Sequence, residues 1–336
     1  MAHMELRLTY MFVNYKESRG PVLLPKTALT QSLLDDIRRS AMGLRCHGKV
    51  ADYIPELALT SPDLFALSCV SADNSTVETG DVDQYFTMQS ISKIISLSLA
   101  IEKLGIRKVF KYVGMEPTAD SFNSLMRLEM SSPIPANPFM NAGAIVICAL
   151  LQSSLKAGAF DEMAGFAELM TGEKISFNGR VYESERSTAD RNKALAHFMK
   201  SVGSLPGDVD GFLDLYFRQC SVMCTVRSLA KIGALLASGG RSPLTGRRVL
   251  KKKTVFAVLG LMSTCGLYNG SGEFAVRVGI PGKSGVSGGI LAVSPGKMGI
   301  GVFSPPLDAK GNSVAGLQAL ELLSEKLDLR RLSDGA

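Results

Sequence analysis

Histidine is scarce and paired cysteine motifs are missing. The 336 residues hold only His3, His47 and His197, and six cysteines with no Cys-x-x-Cys pair. A metal centre draws on three or four such ligands at close spacing, so none is expected. Cys220 and Cys224 lie four apart in a stretch that reads as helix and would share a face, but no partner ligands accompany them. With Cys46, Cys69, Cys148 and Cys265 they read as free, mostly buried thiols in a reducing compartment. Long apolar runs are also absent. The longest, Ala142 to Leu151, is about half of a bilayer crossing, so no membrane association is expected. Arg7, Lys16 and Glu17 interrupt the early apolar stretch, so no signal peptide is expected, and Met1-Ala2-His3-Met4 reads as a vector-derived leader. Charge of one sign is not concentrated. The net +6 comes from 37 basic against 31 acidic residues. The dense groups are Arg247-Arg248 with Lys251-Lys252-Lys253, and Arg330-Arg331. Without interleaved aromatics they read as a solvated face rather than a nucleic-acid surface. Repeats and low-complexity tracts are missing.

What remains is a folding chain. Hydrophobic residues make up 46% and charged residues 20%, which excludes extensive disorder. The length suits about two domains, or one composite one, with a core that needs no staples.

Leu29–Met42 has helical spacing before Gly43. Leu64–Ser71 and Ser75–Glu78, around Asp73-Asn74, read as a hairpin. Helical signals run from Ser90 to Ser238: Ser90–Leu104, Asp120–Met130, Ala142–Lys156, Phe160–Thr171, Ser187–Val202, Gly211–Gln219 and Thr225–Ser238. Gly272–Ile280, Gly289–Val293 and Met298–Phe303 read as strands, and Val314–Leu327 as a closing helix. The expectation is an α+β fold: an antiparallel sheet from residues 1–88 and 225–336, flanked by helices, with residues 89–224 inserted as a mainly helical domain and the active site between them.

Ser90 and Lys93 form Ser-x-x-Lys at a helix start, so both point to one face. A serine there lies near unpaired N–H groups and the positive end of the helix dipole. Lys93 accepts its proton only if neutral, which burial or a second cation favours. The apolar Ile91, Ile94, Ile95, Leu97 and Leu99 leave little exposed face. Later comes Lys283-Ser284-Gly285-Val286 at the start of a strand. Ser-x-x-Lys with a late Lys-Ser-Gly is the arrangement of serine β-lactamases and penicillin-binding proteins. On this reading Lys283 is the second cation that lowers the Lys93 pKa. Gly285 lets substrate approach an edge strand, and the Val286 and Ser90 N–H groups form an oxyanion hole. Asn141, before the Ala142 helix, reads as an N-cap.

The middle of the chain lacks the Ser-x-Asn of the β-lactam enzymes. It carries Asn137-Pro138-Phe139-Met140-Asn141-Ala142-Gly143-Ala144, Glu185-Arg186-Ser187-Thr188-Ala189-Asp190-Arg191-Asn192, Asp214-Leu215-Tyr216 and Cys265-Gly266-Leu267-Tyr268. With the string Ala51 to Ala58 and Gln89 to Lys93, these resemble the serine-dependent glutaminase family in order, from about Gly48 to Gly316. The resemblance implies a β-lactamase-like fold and hydrolysis of L-glutamine to L-glutamate and ammonia without metal or cofactor. It implies a cytoplasmic homodimer or homotetramer of the bacterial type. Ser90 then matches the nucleophile and Lys93 its partner. Asn141, Glu185, Asn192, Tyr216, Tyr268 and Val286 match the glutamine pocket, with Tyr53 as a further pocket tyrosine. Tyr268 or Tyr216 would relay the proton to ammonia, and Glu185 would pair the α-ammonium. A β-lactamase or D,D-peptidase relative and a ligand-sensing module are the rival readings.

Overall fold

The computed structural model describes residues 28–118, 128, 132–205 and 207–330. Five strands form one antiparallel sheet: β1 (Ala66–Ser71), β2 (Thr76–Gly80), β5 (Gly282–Ser284), β6 (Gly289–Ser294) and β7 (Met298–Phe303), in the order β2-β1-β7-β6-β5. Both chain ends build it, since β1 from the first third pairs with β7 from the last, Ala66 opposite Phe303. Strands β6 and β7 are buried along their whole length and β1 nearly so, as the covered centre of a sheet requires, while the edge strand β2 is only partly buried. Leu67, Cys69, Ile290, Ala292, Ile300 and Val302 face α1 (Gln31–Met42) and α12 (Val314–Lys326). Leu291, Val293 and Phe303 face the helical layer. Helix α1 forms because Leu34, Ile37 and Ala41 recur on one side, and Thr30 caps it through Oγ1, which accepts from the Leu33 N–H at 3.2 Å.

Helix α9 (Val226–Ala237) lies directly on the sheet's other face. A Cβ at Gly299 would stand 2.0 Å from the Ala234 nitrogen, and one at Gly301 would stand 2.2 Å from the Val226 oxygen. Only glycine lets helix backbone rest on strand backbone so closely. Beyond it lies the helical layer: α2 (Lys93–Leu104), α3 (Ile106–Tyr112), α4 (Asn141–Leu155), α5 (Ala159–Thr171), α6 (Gly179–Ser187), α7 (Asp190–Ser201) and α8 (Val209–Cys220). Its core is continuous with that sheet face. Residues 141–171 are apolar and long enough to cross a bilayer by composition alone. The structure breaks this run at Lys156 (φ 57), and α4 and α5 pack into the core. A two-stranded ribbon of β3 (Phe86–Thr87) and β4 (Met223–Cys224) ties the layer to the sheet, with Phe86 stacked on Phe303 at 4.0 Å.

The structure corrects several expectations. Gly272–Ile280 is not a strand: α11 (Ser271–Arg277) occupies it, with Phe274 and Val278 turned inward at helical spacing and Val276 left outside. The strand here is β5, just after it. Asn141 is the first residue of α4 rather than its cap, which is Met140. Cys220 and Cys224 share no helix, because α8 ends at Cys220 and Cys224 belongs to β4. Helices α3, α6 and α10 (Lys252–Cys265) are additions to the sequence reading. Short or polar stretches such as α6 carry too little periodicity to be seen without their packing partners. Asp120–Met130 lies outside the described residues except Leu128. All six cysteines are free, and all but Cys46 are buried.

Candidate active site

The site grows from the ribbon. Its strand β3 delivers the chain to a 3-10 turn, Gln89–Ser92, which runs straight into α2. The Met88 N–H donates to the Val222 oxygen at 2.7 Å, fixing the approach. Gln89 then takes φ 48, a left-handed conformation costly for a residue with a Cβ. Surrounding contacts hold it there and present Ser90 at the layer boundary, almost fully buried.

Lys93, one turn on, is enclosed. Its Nζ donates to the Phe139 oxygen at 3.0 Å and to Asn141 Oδ1 at 2.8 Å. Burial brings its pKa down to about 8, partly opposed by Cys220, Glu185 and Cys148. Burial thus favours the neutral form that can accept a proton.

Lys283, in β5, is fully buried. Its Nζ donates to the Ser284 oxygen at 2.6 Å and lies 4.7 Å from the Tyr268 ring centroid. Burial first, and the charge of Lys93 second, hold its pKa well below the ordinary lysine value. This changes the expected role. Burial, not a second cation, is the largest cause at Lys93.

Gly285 has a packing reason to be glycine. A Cβ there would stand 2.7 Å from the Met88 oxygen and 3.2 Å from Ile91 Cγ1. The glycine is needed so that the end of β5 can press against the turn that carries Ser90. The contact places Val286 beside that turn. Among the described residues, neither the Ser90 N–H nor the Val286 N–H finds an acceptor.

Tyr268, at φ 53, opens a short 3-10 turn after α10. Burial pushes its phenol up to about 12, and hydrogen bonding to the Ser90 hydroxyl pulls it partly back. Tyr216, on α8, lies below Lys93, with Nζ 5.9 Å from its ring centroid. Burial raises its phenol far above the ordinary value.

Glu185 projects from α6 and is 7% exposed. Its Oε2 has no hydrogen-bond partner among the described residues. Burial raises its pKa to about 7, against the opposing pull of Cys220, Lys93 and Gln89. Cys220 and Gln89 act on this carboxylate through hydrogen bonds and Lys93 through its charge, yet Oε2 itself still lacks a donor among the described residues. Asn192, on α7, joins through its Oδ1, which accepts from Asn141 Nδ2 at 2.9 Å. Tyr53 stands at the rim. Its ring is half open at 53% exposure, yet burial of the hydroxyl end raises its pKa, with Tyr268 and Glu185 acting in the same direction.

All the residues singled out from sequence thus converge, including Ser284, which is buried next to Lys283. Sequence reasoning missed Gln89 as a strained support, the Phe139 carbonyl that holds Lys93, and Cys220 beside Glu185. A backbone carbonyl leaves no trace in residue identity. Cys220 was visible only as one more buried thiol.

Fold and site together define a serine-dependent hydrolase of the β-lactamase-like class. The glutaminase family model matches residues 48–331. The glutaminase of Alkaliphilus oremlandii is 48% identical over 284 residues, covering 84% of this chain and 93% of that protein. That of Clostridium tetani is 46% identical over 303 residues, covering 90% and 99%. A solved structure of a probable glutaminase, ybaS, superposes with a TM-score of 0.85 at 39% identity, covering 91% of this chain and all of the other. A probable glutaminase from Bacillus subtilis, complexed with 6-diazo-5-oxo-L-norleucine, gives 0.80 at 33% identity over 90% of this chain and 95% of the other. The chain belongs to the glutaminase family.

Proposed function

We propose that the protein hydrolyses L-glutamine to L-glutamate and ammonia through an acyl-enzyme on Ser90. Neutral Lys93 takes the Ser90 proton as Oγ bonds to the side-chain amide carbon. The resulting oxyanion rests on the Ser90 and Val286 N–H groups. As the C–N bond breaks, the nitrogen takes a proton through Tyr268 and leaves as ammonia. Water then attacks the ester, releasing glutamate and returning the proton to Ser90. Asn141, Asn192, Tyr216 and Tyr53 complete the amino-acid pocket, with Lys283, Ser284 and Gly285 as its supporting strand. The reading extends to a cytoplasmic homodimer or homotetramer and to a sheet-containing part around an inserted helical part, on the family likeness.

One observation carries it: the buried Glu185 Oε2, which has no hydrogen-bond partner among the described residues. A free amino acid brings an ammonium, and that ammonium would satisfy the carboxylate. A charge-assisted hydrogen bond is worth about 1.5–3 kcal/mol. Glu185→Gln is therefore expected to lower kcat/KM about ten- to a hundredfold. The loss should shrink for a substrate lacking the α-amino group. Intact-mass spectrometry of the variant with glutamine provides the opposing test. A stable adduct near the mass of a glutamyl group would make Glu185 the deacylation base and overturn the pairing.

Chelation is a second check. The oxyanion contacts are backbone N–H groups, and no three His, Cys, Asp or Glu side chains cluster as metal ligands among the described residues. EDTA should leave the rate unchanged. Activity lost to EDTA and restored by a divalent ion would contradict this site.

A further inference from the structure

Lys93, Asn141 and Asn192 form one hydrogen-bonded chain. Lys93 Nζ donates to Asn141 Oδ1 at 2.8 Å, and Asn141 Nδ2 donates to Asn192 Oδ1 at 2.9 Å. A pocket asparagine need only aim its amide at the ligand. Here the oxygen of Asn141 is committed to the lysine and one Nδ2 hydrogen to Asn192. A primary amide has two N–H donors, so one Nδ2 hydrogen remains for a ligand. The Asn192 oxygen accepts from Asn141, and its two N–H donors have no hydrogen-bond partner among the described residues. We infer that Asn141 is a positioning residue for Lys93, and that it couples recognition of the substrate's α-carboxylate to the placement of the group that takes the serine proton.

The backbone reinforces this role. Asn141 is the first residue of α4, held by the turn in which Asn137 Oδ1 accepts from the Phe139 and Met140 N–H groups at 3.0 and 3.2 Å. That turn also fixes the Phe139 carbonyl, the second acceptor on Nζ. Both acceptors on Lys93 therefore come from one rigid segment, and the lysine cannot shift without it. With two protons directed at oxygens, the third position of the nitrogen is left for the serine. In the neutral amine that position is the lone pair. A carboxylate drawn to the free Nδ2 hydrogen would polarise the amide and strengthen Oδ1 as an acceptor from Nζ. Occupancy of the amino-acid end of the pocket then tightens the geometry at the reacting end, some of whose residues lie on other helices.

Other groups acting on Lys93 set the background for a pH test. They are Cys148 from α4, Cys220 and the Tyr216 ring from α8, Glu185 from α6 and Lys283 from β5. Asn141 itself is uncharged, so replacing it by aspartate adds one charge at hydrogen-bond distance from Nζ. Aspartate is tolerated at a helix N-terminus and stays ionised there beside a cation.

The inference rests on the proposed glutaminase reaction, so wild-type ammonia release is measured first; without it that reaction fails by itself. The test is the pH dependence of kcat at saturating glutamine, which reports the enzyme–substrate complex. An opposite charge at this distance raises a lysine pKa by about 1–3 units. The rising limb of the Asn141→Asp profile should therefore move at least one pH unit to the alkaline side. Near pH 7 kcat should fall at least about tenfold, with recovery above pH 9. Asn192→Ala, which leaves the Lys93 contact in place but removes the brace on Asn141, should lower kcat by a smaller factor and leave the limb in place. It should also remain fully folded by circular dichroism. If Asn141→Asp raises KM while its limb stays where wild type has it, Asn141 touches substrate only, and the inference fails. Should Asn141→Asp not fold, Asn141→Ser replaces it. Its kcat must then fall more than that of Asn192→Ala, and an equal or smaller fall overturns the inference.

Discussion

Ser90→Ala should lose several orders of magnitude in kcat while keeping the fold, because in the proposed mechanism it removes the atom that bonds to the substrate carbon. The structural cost is small. The Ser90 hydroxyl caps no helix, and the turn around it is held by Met88 N–H to Val222 and by Ser92 Oγ donating to the Gln89 oxygen at 2.7 Å. Circular dichroism and thermal melting should match wild type, and an active-site label that acylates Ser90 should no longer add mass. What remains would come from binding and the oxyanion contacts alone. A variant keeping a tenth of the wild-type rate would remove Ser90 from the mechanism.

Lys93→Arg should be nearly as inactive. Wild-type Lys93 reaches its neutral form because burial brings its pKa to about 8. Arginine does not give up its proton at ordinary pH, so the charge is kept and the base is lost. General-base catalysis is worth roughly 10²–10⁴ in rate. The fall in kcat should lie in that range, with no recovery at alkaline pH. The sign can be checked in wild type: the neutral fraction grows as pH rises through 8, so kcat should climb across that window and then level. If Lys93→Arg works well, Lys93 is only a positive charge and the base is a tyrosine. Tyr268 and Tyr216 would then have to overcome the burial that keeps their phenols protonated.

The two variants bear on neighbouring residues with different supports. Ser90 depends on a strained turn, and Lys93 on the carbonyl and amide of a segment some 46–48 residues further on. Neither support can be inferred from the Ser-x-x-Lys motif. The motif is consistent with a solvated lysine beside a capping serine, and only the apolar residues around it argue for burial.

Along the chain, the strong periodic stretches were legible. The hairpin β1–β2, strands β6 and β7, and helices α1, α2, α4, α5, α7, α8, α9 and α12 follow from alternation or 3.6-residue spacing with clear stops. Glu185 and Asn192 were identified by the strings around them. The helix carrying Glu185 was not, because α6 is polar except for Val181 and Tyr182, which pack inward. Gly272–Ile280 misled because Phe274, Val276, Val278 and Ile280 alternate as a strand would. Two of these also fit a helix face, and the neighbouring β5 and α10 decide between the two.

The sequence by itself determined the chemical inventory: a serine, two lysines, the asparagines, a carboxylate and the tyrosines, in a linear order that marks the family. It also marked strand-like stretches near both ends of the chain, since side-chain periodicity is a local property; that β1 pairs with β7 is a tertiary fact. Tertiary structure alone decided the protonation and the wiring. Whether Lys93 or Lys283 is neutral, whether Glu185 lacks a partner, and why Gly285 must be glycine all depend on desolvation and on contacts between residues far apart in the chain. Those quantities arise when the segments close on one another and exclude water, and residue order does not contain them.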